Sequence, residues 1–251
     1  MPATNTHAKW LNGVQHFYDG VTQETVHVLS PLQYYDDFLG AGSAVVPVAG
    51  SAESGVDWVA KLAKTAGTPT LACVPNAVGG HVAAAIDATS EKQEATLYWG
   101  DALGFDVTKG VEFESRVKLS VLPSATGVQA VWGMASTWVD GPNNNTCYLG
   151  FGATANGAVL LRSHDGVTTV SAATGVTLLN TTWAVFKIDA TDVTDVKFYI
   201  DGAQVSTKGQ VNFAATGTLA VLQPYLGVYK PSGTGVATLV TDYVKVWQNR
   251  V

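Results

Sequence analysis

Trp183–Val205, WAVFKIDATDVTDVKFYIDGAQV, reads as two antiparallel strands and the start of a third. In the first, Phe186 and Ile188 alternate with Lys187 and Asp189. In the second, Val196, Phe198 and Ile200 alternate with Lys197 and Tyr199. A period of two sets one side of each strand on an apolar core and the other in water. Asp201-Gly202 then supplies the positive φ angles that a two-residue hairpin turn demands. The class this implies is antiparallel β.

The same pattern extends in both directions. Leu219–Tyr229 and Val236–Gln248 close the chain, joined by KPSGTG. Upstream, Val111–Val121 is the longest alternating run: Val111, Phe113, Val117, Leu119 and Val121 share one face, and Glu112, Glu114, Arg116 and Lys118 the other. Gln129–Ala135 is apolar on both faces, as a strand covered on both sides is. Tyr148–Thr154, Ala158–Ser163 and Val167–Ala172 form a meander, with Asn156-Gly157 and Asp165-Gly166 as its hairpin turns. Asp57–Leu62, Thr70–Val74, His81–Ile86 and Ala95–Trp99 are further strand candidates; a helical period is nearly absent, and DWVAKLAKTAG is the one stretch that could instead make a turn or two. Many short strands at such spacing predict a sandwich or barrel.

Residues 1–30 differ from this body. Val14–Tyr18 and Thr25–Leu29 are short strand candidates split by Asp19-Gly20. An isolated hairpin is marginal in water, so Trp10, Phe17 and Tyr18 need a surface supplied by something else. That surface is either the main domain or another chain. The expected division is an N-terminal arm, 1–30, and a sandwich domain, 31–251, whose first strand is LQYYDDF.

Composition bounds the partners. Of 251 residues, 47% are hydrophobic and 14% charged, against the usual quarter or so for charge. A net charge of −6, with no run of Lys and Arg, argues against nucleic acid. No apolar run approaches the roughly 18 residues of a membrane span, and MPATNTHAKW shows no secretory h-region. Cys73 and Cys147 read as packed, reduced thiols.

Catalytic constellations are hard to find. Glu112 and Glu114 lie roughly 6.6 Å apart along one strand face, a permissible spacing for the two carboxylates of a glycoside hydrolase. Arg116 and Lys118 continue the same row, so a solvated ion-pair face is the better reading. Asp36-Asp37 reads as strand-end chemistry. The histidines at 7, 16, 27, 81 and 164 lack metal-ligand spacing. Asp242 stands in a row with Val240, Val244 and Val246, where a bare carboxylate is costly. Calcium would satisfy it, and so would an Arg, a Lys or a backbone partner.

W-x-x-F-x-I, VKFYIDG and the terminal TDYVKVWQ resemble the concanavalin A-like jelly rolls, over roughly Pro31 to Val251. The glucanase branch carries Glu-x-Asp-x-x-Glu, which this chain lacks; EFESR at Glu112–Arg116 is the nearest match. In several members a calcium sits near the aspartate that Asp242 matches. AKWLNGVQHFYDG ahead of YYDDFLGA, followed by LYWGDALGFDVTKGVEFESRV, looks like tailed-bacteriophage virion proteins of the capsid decoration or cement type.

The resemblance implies a non-catalytic structural protein on the capsid surface of a virion. Its partners would be the major capsid protein and further copies of itself, in a trimer, with Trp10, Phe17 and Tyr18 as arm contacts. No cofactor is implied beyond a structural calcium at Asp242. The alternatives are a carbohydrate-binding adhesion module that uses Trp99, Trp132 and Trp138, and a glycoside hydrolase.

Overall fold

The computed structural model describes residues 32–38 and 58–249, with the backbone alone of residues 6–11 and 14–19. Chain order begins with β1 (Thr6–Leu11), β2 (Val14–Asp19), β3 (Leu32–Asp36), β4 (Val59–Lys64), β5 (Thr70–Cys73), β6 (Val82–Ile86) and β7 (Gln93–Tyr98). It continues through β8 (Phe105–Asp106), β9 (Val111–Val121), β10 (Gln129–Ala135), β11 (Tyr148–Ala153), β12 (Ala158–His164) and β13 (Thr169–Thr177). β14 (Ala184–Ala190), β15 (Lys197–Ile200), β16 (Ala203–Gln204), β17 (Val221–Lys230) and β18 (Ala237–Gln248) complete it.

Two antiparallel sheets make a jelly-roll sandwich, the class expected. The front sheet runs β13-β12-β11-β10-β17-β7-β4, with β8 on β17; the back sheet runs β16-β15-β14-β9-β18-β6-β5, with β3 on β18. Alternate side chains of both sheets meet in one core. Trp132 and Phe151 of the front sheet meet Phe186 and Phe198 of the back sheet edge-on, with ring centroids 4.7 to 5.2 Å apart. Such edge contacts add about 0.5–1.5 kcal/mol each beyond the area they bury. DWVAKLAKTAG forms β4, a strand and not a helical turn.

The turns refine the pattern. Asp201 (φ 48°) and Gly202 (φ 80°) take the positive angles of the two-residue hairpin expected there; Asn156 (φ 64°) and Gly157 (φ 78°) are also positive but end a four-residue connection from β11 to β12. Asp165-Gly166 does not close a two-residue loop. Four residues join β12 to β13, because the Asp165 carboxylate accepts from the amides of Val167 and Thr168 and so holds a wider turn. In the arm, β2 pairs antiparallel with β1; the Asp19-Gly20 turn lies outside the described residues. Among the described residues, β1 and β2 pair with each other and with no strand of either large sheet. The candidate strand Thr25–Leu29, the 1–30 boundary and the side chains of Trp10, Phe17 and Tyr18 lie outside what is described.

β18 overturns one expectation. Its register against β9 slips between Thr241 and Tyr243, leaving Asp242 as the extra residue of a bulge. Leu239 lies in the core before the bulge, and Val244 and Val246 after it. Asp242 therefore shares no row with Val244 and Val246, and points away from the core.

Candidate functional site

The back sheet presents an open polar face. The Glu112 carboxylate lies 2.5 Å from Lys187 Nζ, and Glu114 accepts from the Tyr243 hydroxyl at 2.9 Å. Asp242 accepts from Arg116 Nη1 at 2.6 Å and lies 3.6 Å from His81 Nε2. Trp183 sits among Arg116, Lys118 and His81, at 4.9, 4.5 and 4.8 Å. These residues do not fit a calcium ion: the groups nearest Asp242 are themselves cations or an imidazole, and Arg116 is its partner. Glu112 and Glu114 are each engaged by a cross-strand neighbour, as an ion-pair face requires.

The front sheet's outer face is built differently. One cross-strand row runs Ser171, Arg162, Gly150, Gly133, Tyr225, Tyr98 and Val59. Glycines floor its middle. A Cβ on Gly150 would come within 2.8 Å of the Trp132 carbonyl oxygen, and one on Gly152 within 2.8 Å of Arg162 Cδ. The arginine stem thus lies flat across a position that has no side chain.

A loop of residues 136–147 closes over this trough. Its base is tied by Ser136 N donating to the Cys147 carbonyl at 2.8 Å and Cys147 N to Ser136 Oγ at 3.1 Å. Glu94, fully buried, is its anchor. The carboxylate accepts from Trp138 Nε1 (2.9 Å), the Gly141 amide (3.0 Å), the Thr96 hydroxyl (2.7 Å) and the Tyr225 hydroxyl (3.1 Å). Burial, and then the Glu94 charge, push the Tyr225 phenol well above its ordinary pKa, so it stays a donor. Asp101 accepts from Trp138 N at 2.7 Å, and Lys92 holds Asp140 at 2.5 Å. The space left under the loop is about 20 Å³, room for about one water.

Arg162 is the unusual member. It is 7% exposed, donates to Asn143 Oδ1 of the loop, and lies over the Tyr148 ring at 5.0 Å. Among the described residues it has no carboxylate partner, and burial pulls its pKa down. His164, two residues along β12, stands 5.8 Å from the Tyr148 ring, with Nδ1 3.1 Å from both the Thr168 carbonyl and the Thr169 hydroxyl. A buried guanidinium without a counter-ion is costly, and an anion would relieve that cost.

Of the residues singled out from sequence, Trp132 borders the space under the loop and Trp138 belongs to the loop itself. Trp99 and Trp132 are 7% and 1% exposed and belong to the core, so they offer no platform to a sugar. Trp138 is half-buried, with its indole N–H spent on Glu94. Sequence reasoning missed Glu94, Tyr148, Arg162 and Tyr225. A signal existed for two of them: Glu94 in QEATLY and Arg162 in AVLLRSH are lone charges in strands otherwise free of charge. Among the described residues no group of three or more His, Cys, Asp and Glu is placed to hold a metal ion.

No family model and no curated protein sequence matches this chain. Solved structures do. A protein of unknown function from Shewanella oneidensis MR-1 superposes with a TM-score of 0.60 at 14% identity, over 90% of this chain and 89% of that one. The endo-β-1,4-glucuronan lyase of the fungus Trichoderma reesei gives 0.55 at 15% identity, over 75% and 90%. Alginate lyase A1-II′, of polysaccharide lyase family 7, gives 0.51 at 15% identity, over 72% and 84%. At such identity the likeness shows a shared fold. It also corrects the expectation of a non-catalytic protein. Several structures that share this sandwich, the glucuronan lyase and the alginate lyase among them, are polysaccharide lyases by name and not hydrolases. Lack of the glucanase motif therefore excludes one chemistry and no more.

Proposed function

We propose that the chain binds an acidic polysaccharide along the front sheet's outer face and cleaves it by β-elimination. The observation that carries this reading is Arg162, a buried cation without a carboxylate partner among the described residues, set across a glycine floor between Tyr148 and the loop residue Asn143. A uronate carboxylate would supply the missing anion, with Asn143 and Asn145 as further donors. Pairing of that carboxylate acidifies the neighbouring C5 proton. Tyr148 in its phenolate form, against the guanidinium, takes that proton; the C4–O4 bond breaks, a C4–C5 double bond forms, and the leaving oxygen receives the proton back from Tyr148. With about 20 Å³ free, the loop of residues 136–147 has to lift before a sugar enters.

The test is a panel of glucuronan, alginate and neutral glucan oligosaccharides, scored by calorimetry and by absorbance of the unsaturated product. Acidic oligomers are expected to bind and be cleaved, and Arg162→Gln to lose about 100-fold in affinity, roughly 2.7 kcal/mol. Equal binding of neutral and acidic oligomers would sink the reading.

A second observation bears on where the protein works. Among the described residues the β1–β2 hairpin pairs with neither large sheet, which favours an arm that docks elsewhere. We propose that it attaches the sandwich to the outside of a phage virion, through the major capsid protein or a neighbouring copy, with Trp10, Phe17 and Tyr18 as the contacts. Removal of residues 1–20 should leave a folded sandwich that no longer co-sediments with particles. Full occupancy by the truncated protein would remove the arm from this role.

A further inference from the structure

Beyond the trough, on the same face, lies an open cleft of about 400 Å³, within the range of about 300–1,000 Å³ usual for small-ligand sites. Gln129 and Tyr229, paired across β10 and β17, form its floor, and Asn143, Asn144, Thr154 and Pro231 its sides. Gln129 lies four residues along β10 from Gly133, hence roughly 14 Å from the row that holds Arg162. Asn143 belongs to both places: its Oδ1 accepts a hydrogen bond from Arg162 Nη2, and its side chain walls the cleft.

The lining carries no ionic group. Charges nearby are already spent: Lys92 and Asp140 hold each other at 2.5 Å. Lys230 turns away from the cleft, onto the carbonyls of Asp87, Thr89 and Gly235 at 2.5 to 3.1 Å. A carboxylate placed here would lose its water and gain no cation. Hydroxyls and acetamido groups meet a different reception. Side-chain amides offer both donors and an acceptor, and the Tyr229 ring offers an apolar face ending in a polar tip.

We infer that this cleft is a second sugar subsite, selective for an uncharged pyranose, plain or N-acetylated, near the acidic residue held by Arg162. The inference rests on the reading of Arg162 given above. Together the two places favour a heteropolymer that mixes uronate with uncharged sugar over a pure polyuronate. Specificity of this kind arises because the wrong residue leaves polar or charged groups unpaired.

The full-length protein can be titrated calorimetrically with two probes, a glucuronan oligomer and an alternating glucuronate–N-acetylglucosamine oligomer of equal length. The alternating oligomer is expected to bind about tenfold tighter. Tyr229→Ala and Gln129→Ala should each weaken the alternating oligomer more than the glucuronan, collapsing that preference. Tyr229→Phe, which keeps the ring against Gly141, guards against a folding artefact. No preference in the wild type, equal weakening of both probes, or no binding of either overturns the subsite. If Arg162→Gln is harmless while Tyr229→Ala abolishes binding of the alternating oligomer, the subsite stands and the acidic reading falls. The opposite pattern keeps Arg162 and removes the cleft.

Discussion

The two outer faces of the sandwich use the same kinds of residue to opposite ends. On the back sheet Glu112, Glu114 and Asp242 each have a partner on an adjacent strand, on a face that water still reaches. On the front sheet a glutamate and an arginine are buried under one loop and do not pair with each other. Glu94 is satisfied by four neutral donors, Arg162 by an amide oxygen and a tyrosine face. The lesson is that charge count does not locate a site. Charge taken out of water without its opposite does, since the fold tolerates that cost only where the surroundings hold it in place.

This contrast can be broken at its strongest point first. Glu94→Ala leaves the Trp138, Tyr225, Thr96 and Gly141 donors without their acceptor and should destabilise the fold by about 3 kcal/mol, read from urea midpoints. A loss no larger than that of a surface substitution would mean the loop does not depend on Glu94. Arg162→Met tests the other buried charge from the opposite side. It should raise stability by about 1 kcal/mol while abolishing binding of acidic oligomers. A destabilised variant would show that Arg162 serves the fold and not a ligand.

A smaller effect belongs to Asp87, on the connection from the back sheet's β6 to the front sheet's β7. Hydrogen bonds from Gln93, and from Thr89 and Thr68, hold its carboxyl well below the ordinary 3.8. A depressed folded-state pKa stabilises fully above the unfolded value and fades as pH falls through the folded one. The wild type should therefore lose stability below about pH 4 more steeply than Asp87→Asn; parallel curves would count against this. Smallest of all is Glu112→Gln on the back face, expected to cost about 0.5 kcal/mol, because a partly exposed pair gains little over water. A cost several times larger would erase the distinction between the faces.

Much of the back sheet was legible from residue order. Alternation in Val111–Val121 and Trp183–Val205 gave both the strands and the ion-pair face, because a sheet with one wet side writes itself as a period of two. The front sheet resisted. β7, β10, β11 and β17 are buried on both sides, so their sequences lack the polar half of the pattern, and the covering loop lies far from Glu94 along the chain. Arg162 looked like one more residue in a meander whose turns drew attention instead. Asp242 misled for a different reason: counting by twos assumes an unbroken ladder, and a bulge breaks it.

That bulge makes Asp242 a spare rung in the terminal strand. Thr241 already faces Val117 and Tyr243 already faces Arg116, so a chain shortened by Asp242 alone would join them in an unbroken ladder and keep Val244 and Val246 inward. Only the carboxylate held toward Arg116 and His81 would go. Removing a paired residue such as Val244 instead would turn every side chain after it to the opposite face.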